Sequence, residues 1–140
     1  MITKYSCMKR RADVPAKMEP VESEGYKFVQ EYWDHKAKYP MVLVDIAKVD
    51  KAWSLDKDMY IGPGGTGNNI KTRYPDFQNW LRENPETPII MPNLGWSEYG
   101  EKITFGNGRH RFSVLRDMGV KKIWVTIPRE QIKLFKENFA

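Results

Sequence analysis

One cysteine and two histidines are all this chain has of the residues that staple or metallate small domains. Cys7 alone cannot close an intrachain disulfide, and His35 with His110 cannot complete a zinc set, so neither device is expected to hold the fold. A magnesium ion carried in with a phosphate ligand is a separate matter, because it asks for only one or two carboxylates. Also missing is any apolar run near the ~20 residues that a bilayer crossing demands. The opening stretch MITKYSCMKRRADVP has basic residues but no apolar core of signal-peptide length behind them. A soluble, cytoplasmic protein without a membrane partner is the expectation. There is no Walker lysine pattern and no Gly-x-Gly-x-x-Gly with a trailing ribose-binding acid, which excludes P-loop and Rossmann turns. Neither sign of charge dominates: 23 Lys and Arg stand against 18 Asp and Glu, a formal +5. That mild basic lean suits nucleotides, nucleic acid or an acidic protein partner, and chooses among none of them.

What remains is a chain of 140 residues, 41% hydrophobic and 13% aromatic, enough for one packed domain and too short for two. Residues 1–20, with Lys9, Arg10, Arg11 and two prolines, read as an irregular basic arm, and 21–140 as a single domain. A helix is expected over 21–38. Tyr26, Val29, Trp33 and Ala37 fall on one stripe, acids lie near its start, lysines near its end, and Pro40 stops it. The β-branched run at 41–44, bounded by Pro40 and Asp45, reads as a buried strand. Glycine then punctuates a long loop over 54–73. Beyond it the pattern gives a helix at 75–84, a strand at 88–92, a turn or hairpin connection at 93–101 and a strand at 102–105. A helix at 109–118, a strand at 122–128 and a last helix at 129–139 complete the chain. Strands alternating with helices imply the α/β class, a mixed sheet packed by about four helices.

The densest chemistry sits at 103-ITFGNGRHRFSVLRDMG-119. Gly106 and Gly108 can adopt conformations closed to residues with a Cβ and let a ligand approach the main chain. The helix that follows presents unsatisfied N–H groups and a positive dipole end. Arg109 and Arg111 add planar donor forks that match phosphate oxygens. Gly106, Asn107, Gly108, Arg109, His110 and Arg111 together describe a phosphate cradle, although a tight turn with exposed arginines fits the same letters. Arg116 reads as solvated. A second candidate is 62-GPGGTGNN-69, where backbone amides around Gly64 and Gly65 could form an anion-binding concavity with Lys71 and Arg73 just beyond. Asp56 and Asp58 precede that loop and could hold magnesium or accept a hydroxyl proton, or simply be solvated turn carboxylates.

The order of these pieces resembles the ParB/sulfiredoxin-like superfamily. An apolar strand begins at Pro88, a polar turn follows, and a strand ends in Phe105-Gly106. Gly108-Arg109-His110-Arg111 then opens a helix carrying Leu115 and Gly119, before 123-IWVTIP-128. The likeness spans 41–128, and its specific part is 105–119. In sulfiredoxins the turn reads Phe-Gly-Gly-Cys-His-Arg. That alignment places His110 and Arg111 on the phosphate-binding pair and Arg109 where the catalytic cysteine stands, so sulfinic-acid repair is not expected here. In ParB-type domains the similar turn binds CTP phosphates and supports DNA clamping, but the helix-turn-helix domain that reads DNA is missing from this sequence. Other relatives include a free serine kinase and plasmid-encoded proteins with nuclease or ATPase activity.

The resemblance thus implies a nucleotide partner, ATP or CTP with Mg²⁺, resting on 106–111, with His110 donating to a phosphate oxygen and Asp58 as a candidate acid or base. Phosphotransfer or hydrolysis would then rest on positioning and electrostatics. Two alternatives stay open. One is a DNA-binding or nicking protein that holds a backbone phosphate in the same cradle, with Tyr60 or Trp96 stacking on bases. The other is a phage- or plasmid-type protein that blocks a host protein complex without catalysis.

Overall fold

The computed structural model describes residues 19–31, 39–67 and 70–140. The first of these segments departs from the sequence pattern. Instead of a helix, β1 (Val21–Ser23) and β2 (Tyr26–Val29) form an antiparallel hairpin with Val21 opposite Phe28. Its turn is Glu24–Gly25, both at positive φ (52° and 86°), the backbone twist that lets two strands fold back on each other. Phe28 is fully buried on the inner face. Tyr26 and Val29 stand three apart, a spacing that fits a helix, and the turn chemistry of Glu24–Gly25 overrides it. The rest of that expected helix, with Trp33, His35 and Ala37, lies outside the described residues. So does the arm over 1–18 with Cys7, Lys9, Arg10 and Arg11.

β3 (Met41–Asp45) runs directly into α1 (Ile46–Trp53), a helix the sequence pattern did not separate from the strand. Asp45 makes the switch, its side chain accepting from the Lys48 amide at 3.1 Å as an N-cap. The helix buries Ile46, Val49 and Trp53, all on one face. α2 (Arg73–Glu83), β4 (Ile89–Ile90), β6 (Lys102–Asn107), α3 (Arg109–Asp117), β7 (Lys122–Thr126) and α4 (Ile132–Asn138) fall where the pattern placed them, α4 after a 3-10 turn at Arg129–Gln131. β5 (Asn93–Ser97) occupies what read as a connection.

The strands divide between two mixed sheets, packed by four helices among the described residues. In the smaller sheet the order is β1-β2-β4, with β4 parallel to β2. The larger is β3-β7-β5-β6, where β5 runs parallel to β7 and antiparallel to β6. The chain passes between the sheets at Met91 and Pro92. Met91 N–H donates to the Val29 carbonyl at 2.8 Å, and the Pro92 carbonyl accepts from Thr126 N–H at 3.0 Å. A second clasp joins the hairpin to β7: the Glu24 carboxylate accepts from the amides of Lys121 and Lys122, and the Trp124 indole donates to the Glu22 carbonyl at 2.9 Å.

Beneath the start of α3 lies an aromatic cluster. Trp53, fully buried, meets Phe105 at 4.5 Å, Tyr60 at 4.8 Å and Phe112 at 5.6 Å between ring centroids. Edge and tilted contacts of this kind hold rings more firmly than area alone, so the floor under the β6–α3 turn is stiff. No helix among the described residues is long and apolar enough to cross a membrane.

The hairpin makes a test with opposite signs. In a helix, Gly25→Ala would stabilise by roughly 1 kcal/mol. At a φ of 86°, with nothing within 4 Å of the added Cβ, the backbone alone decides. Urea denaturation is expected to show a loss of about 1–2 kcal/mol, the cost of a left-handed alanine.

Candidate functional site

At the end of β6 the chain bends sharply. Gly108, at φ +81°, sits so close to Pro92 that a Cβ would come within 2.7 Å of the proline Cα and 2.8 Å of the Arg111 guanidinium. Glycine supplies both the left-handed backbone and the missing volume. The bend sets the first turn of α3 against the β4–β5 junction, where two further contacts fix it. Arg111 Nε donates to the Ile90 carbonyl at 3.0 Å. Its Nη2 donates to Asn107 Oδ1 at 3.3 Å, and that oxygen also accepts from the Asn93 amide. Arg111 is therefore braced in place, with the rest of its planar fork directed by those two bonds.

Arg109 leans the other way, donating to the Met59 carbonyl at 3.1 Å. Between them opens a pocket of about 390 Å³. It is lined by Gly106, Asn107, Gly108, Arg109, His110 and Arg111 from the turn, and by Arg73 from the start of α2. Phe105, Met59 and Ile70 give it apolar walls, and Glu31 is its carboxylate. Among the described residues, three guanidiniums thus share one concavity with a single acid. The crowding registers in Arg109: burial first, and the Arg73 charge second, hold its guanidinium below its ordinary value against the opposing pull of Asp56. Like charges drawn together at a helix start, where backbone N–H groups also point outward, make a site that favours an anion.

His110 is only 5% exposed and lines the same pocket. The residues that sequence reasoning missed are Glu31, Met59, Ile70 and Phe105. Glu31 falls within the stretch 21–38 that read as helix, and nothing in its surroundings along the chain points to a site. Met59 and Ile70 flank the glycine-rich loop and are apolar, so no charge pattern marked them.

Other expected residues lie elsewhere. Asp58 is exposed and lines no part of the pocket, so the acid or base role considered for it finds no geometric support. Asp56, by contrast, is buried and paired with Lys102 at 3.4 Å. Lys71 is exposed and also outside the pocket. Gly64 and Gly65 do not form an open concavity for an anion. The Gly64 amide donates to Asp117 Oδ2 at 2.9 Å, so the protein's own carboxylate occupies it. The glycine-rich loop thus docks at the far end of α3, and of its described surroundings Met59 and Ile70 on its flanks reach the pocket. Asn68 and Asn69 lie outside the described residues.

That docking point corrects the reading of Arg116. Far from being solvated, its side chain is 10% exposed. It donates to Asp50 at 2.9 Å, to Asp117 at 2.9 Å and to the Ile61 carbonyl at 2.6 Å, and it lies 5.7 Å from the Tyr60 ring centre. The Tyr74 hydroxyl donates to Asp117 at 2.5 Å. Burial alone would raise the Asp117 carboxyl, but the bonds from Arg116, Tyr74 and the Gly64 amide outweigh it and hold the group below its ordinary 3.8. Burial and the bond to Asp117 push Tyr74 up to about 12. Among the described residues no group of three or more His, Cys, Asp or Glu is placed to hold a metal ion.

No protein-family model matches the chain, and no curated protein does. Among solved structures, the chain is similar to a gold(I) cyanide derivative of Oncogenic Suppression Activity Protein, a plasmid fertility inhibition factor. The TM-score is 0.65 and the identity 13%, over 97% of this chain and 84% of that one. Likeness at that identity is likeness of fold.

Two measurements check this architecture. Gly108→Ala adds a backbone clash to the strained φ, so it is expected to cost more stability than Gly25→Ala in the same urea titration. The loop tether carries a pH signature. A carboxyl held below 3.8 stabilises fully above that value and ceases to as pH falls through its lowered one; a phenol raised to about 12 stabilises below 10 and is lost as pH climbs from 10 through 12. The difference in urea midpoint between the native chain and Asp117→Asn should therefore be flat across neutral pH and shrink at both extremes.

Proposed function

We propose that this protein binds the phosphate groups of a nucleotide in the pocket at the start of α3. The observation that carries the proposal is the convergence of Arg73, Arg109 and Arg111, from two helices, on one concavity of about 390 Å³ with the first turn of α3. Arg111, fixed by Ile90 and Asn107, and Arg109 neutralise charge, and His110 donates to a phosphate oxygen. Phe105, Met59 and Ile70 offer apolar surface to a base or sugar. A divalent cation would enter with the nucleotide, and Glu31 is the lining carboxylate that fits it. Membership of the ParB/sulfiredoxin-like superfamily, with ATP or CTP as ligand, belongs to the same proposal. Its support is the run from Phe105 to Gly119 and the strands on either side.

A second reading follows from the fold likeness to a plasmid fertility inhibition factor. In it the chain acts as an inhibitor of the same general kind, directed at a host protein complex, and the arginine pocket is incidental to that role.

Calorimetric titration of the folded chain with ATP, CTP, GTP and ADP, with and without Mg²⁺, separates these. Binding of ATP or CTP is expected, weakened about tenfold, or ~1.4 kcal/mol, by Arg109→Ala or by Arg73→Ala. No heat from any nucleotide ends the nucleotide reading. A salt-sensitive complex with duplex DNA in the absence of nucleotide binding would assign the cradle to a DNA backbone phosphate instead.

A further inference from the structure

Among the described residues, a second concavity shares no lining residue with the arginine pocket. It is a groove of about 680 Å³ between α1, α4 and β5. Its surface is apolar. Leu55, just past the end of α1, keeps 54% of its surface in solvent beside Trp96, Leu134 and Phe139. A leucine that exposed, next to a tryptophan, marks a patch a partner could cover. The floor is also rigid. Gln131 clasps both backbone groups of Trp96, accepting from its N–H at 2.8 Å and donating to its carbonyl at 3.0 Å, and the Trp96 ring lies 6.1 Å from that of Phe139. A surface held this way loses little freedom when it binds.

The rim identifies the occupant. Lys48 and Lys51, three apart on α1, lie on the same side of the helix and both line the groove. Lys48 donates to the Ala140 carbonyl at 3.0 Å, while the Lys51 ammonium has no partner among the described residues. Glu101 is the lone carboxylate among the described residues of the lining. A second copy of this chain carries the same net +5, and residues 1–20 hold five basic residues against two acidic ones, so both are poor electrostatic matches. We propose that the groove docks an acidic segment of a partner protein, which seats a bulky apolar side chain on Leu55 and Trp96 and a carboxylate against Lys51.

Fluorescence anisotropy with short labelled peptides and the full chain tests this. One peptide is rich in Glu and carries Leu and Trp; a second replaces each Glu by Lys; a third keeps the Glu and replaces the apolar residues by Ser. The first is expected to bind at least about tenfold tighter than either control and to weaken with added salt. Leu55→Glu and Lys51→Glu should each abolish that preference, and Lys51→Glu should improve the basic peptide. Both positions are exposed, and circular dichroism checks that the variants fold; if Leu55→Glu does not, Lys51→Glu decides alone. Equal binding of the three peptides, or indifference to the variants, overturns the proposal. So does tighter binding of a peptide comprising residues 1–20, or a concentration-dependent dimer in sedimentation that Leu55→Glu disperses.

Discussion

Where Gly108 passes Pro92 there is no room for a Cβ atom, and the geometry around the arginine pocket follows from that approach. The bend lets α3 begin directly over the junction of β4 and β5. From there Arg111 can reach the Ile90 carbonyl and Asn107. A wider turn would lift the helix start away from the strand and leave that guanidinium without its two fixed acceptors. The aromatic rings of Trp53, Phe105 and Phe112 back the same turn from below. A packed interior resists small displacements, so the positions of Arg109 and Arg111 are set by the core as much as by their own loop.

The two ends of α3 treat positive charge in opposite ways. At its C-terminal end, Arg116 is enclosed by Asp50, Asp117 and a carbonyl, and these partners together raise its guanidinium despite the burial that works against it. That arginine is spent on structure: it ties the glycine-rich loop to the helix. At the N-terminal end, Arg109 shares its surroundings with Arg73 and donates to a carbonyl, and it is held below its ordinary value. Residue type is the same at both ends. The balance of neighbouring charge separates an arginine enclosed by carboxylates from one crowded by a like charge.

How much of this could be read along the chain depended on how local the cause was. The β6–α3 turn was legible because Gly106, Gly108 and the arginines are adjacent, and α2, β7 and α4 because their apolar spacing is unambiguous. The hairpin over 21–29 was mistaken for helix since Tyr26 and Val29, three apart, fall on one face of a helix, whereas in the strand they stand on opposite faces. The decisive signal, Glu24–Gly25 as a turn, is only two residues long. α1 was hidden behind the apolar run at 41–44, although Asp45 is an N-cap residue type directly before Ile46, Val49 and Trp53 at helical spacing. Glu31, and the fate of Gly64 and Arg116, depend on contacts between residues far apart in sequence. Asp117 lies 53 residues from Gly64. No window of neighbouring letters contains such a pairing.

The passage of the chain from β4 in the smaller sheet to β5 in the larger through Met91 and Pro92 bears on the order of assembly. β5 and β6 can meet early, being joined by a short turn, and so can β1 and β2. Met91, however, needs Val29, and Pro92 needs Thr126, so the seam closes only after two long loops have been drawn shut. Loop closure of that span is slow and wins nothing until the contacts form. On a growing chain the hairpins would therefore exist before the sheets are joined, and the arginine pocket, which straddles the seam, would be among the last features to acquire its shape.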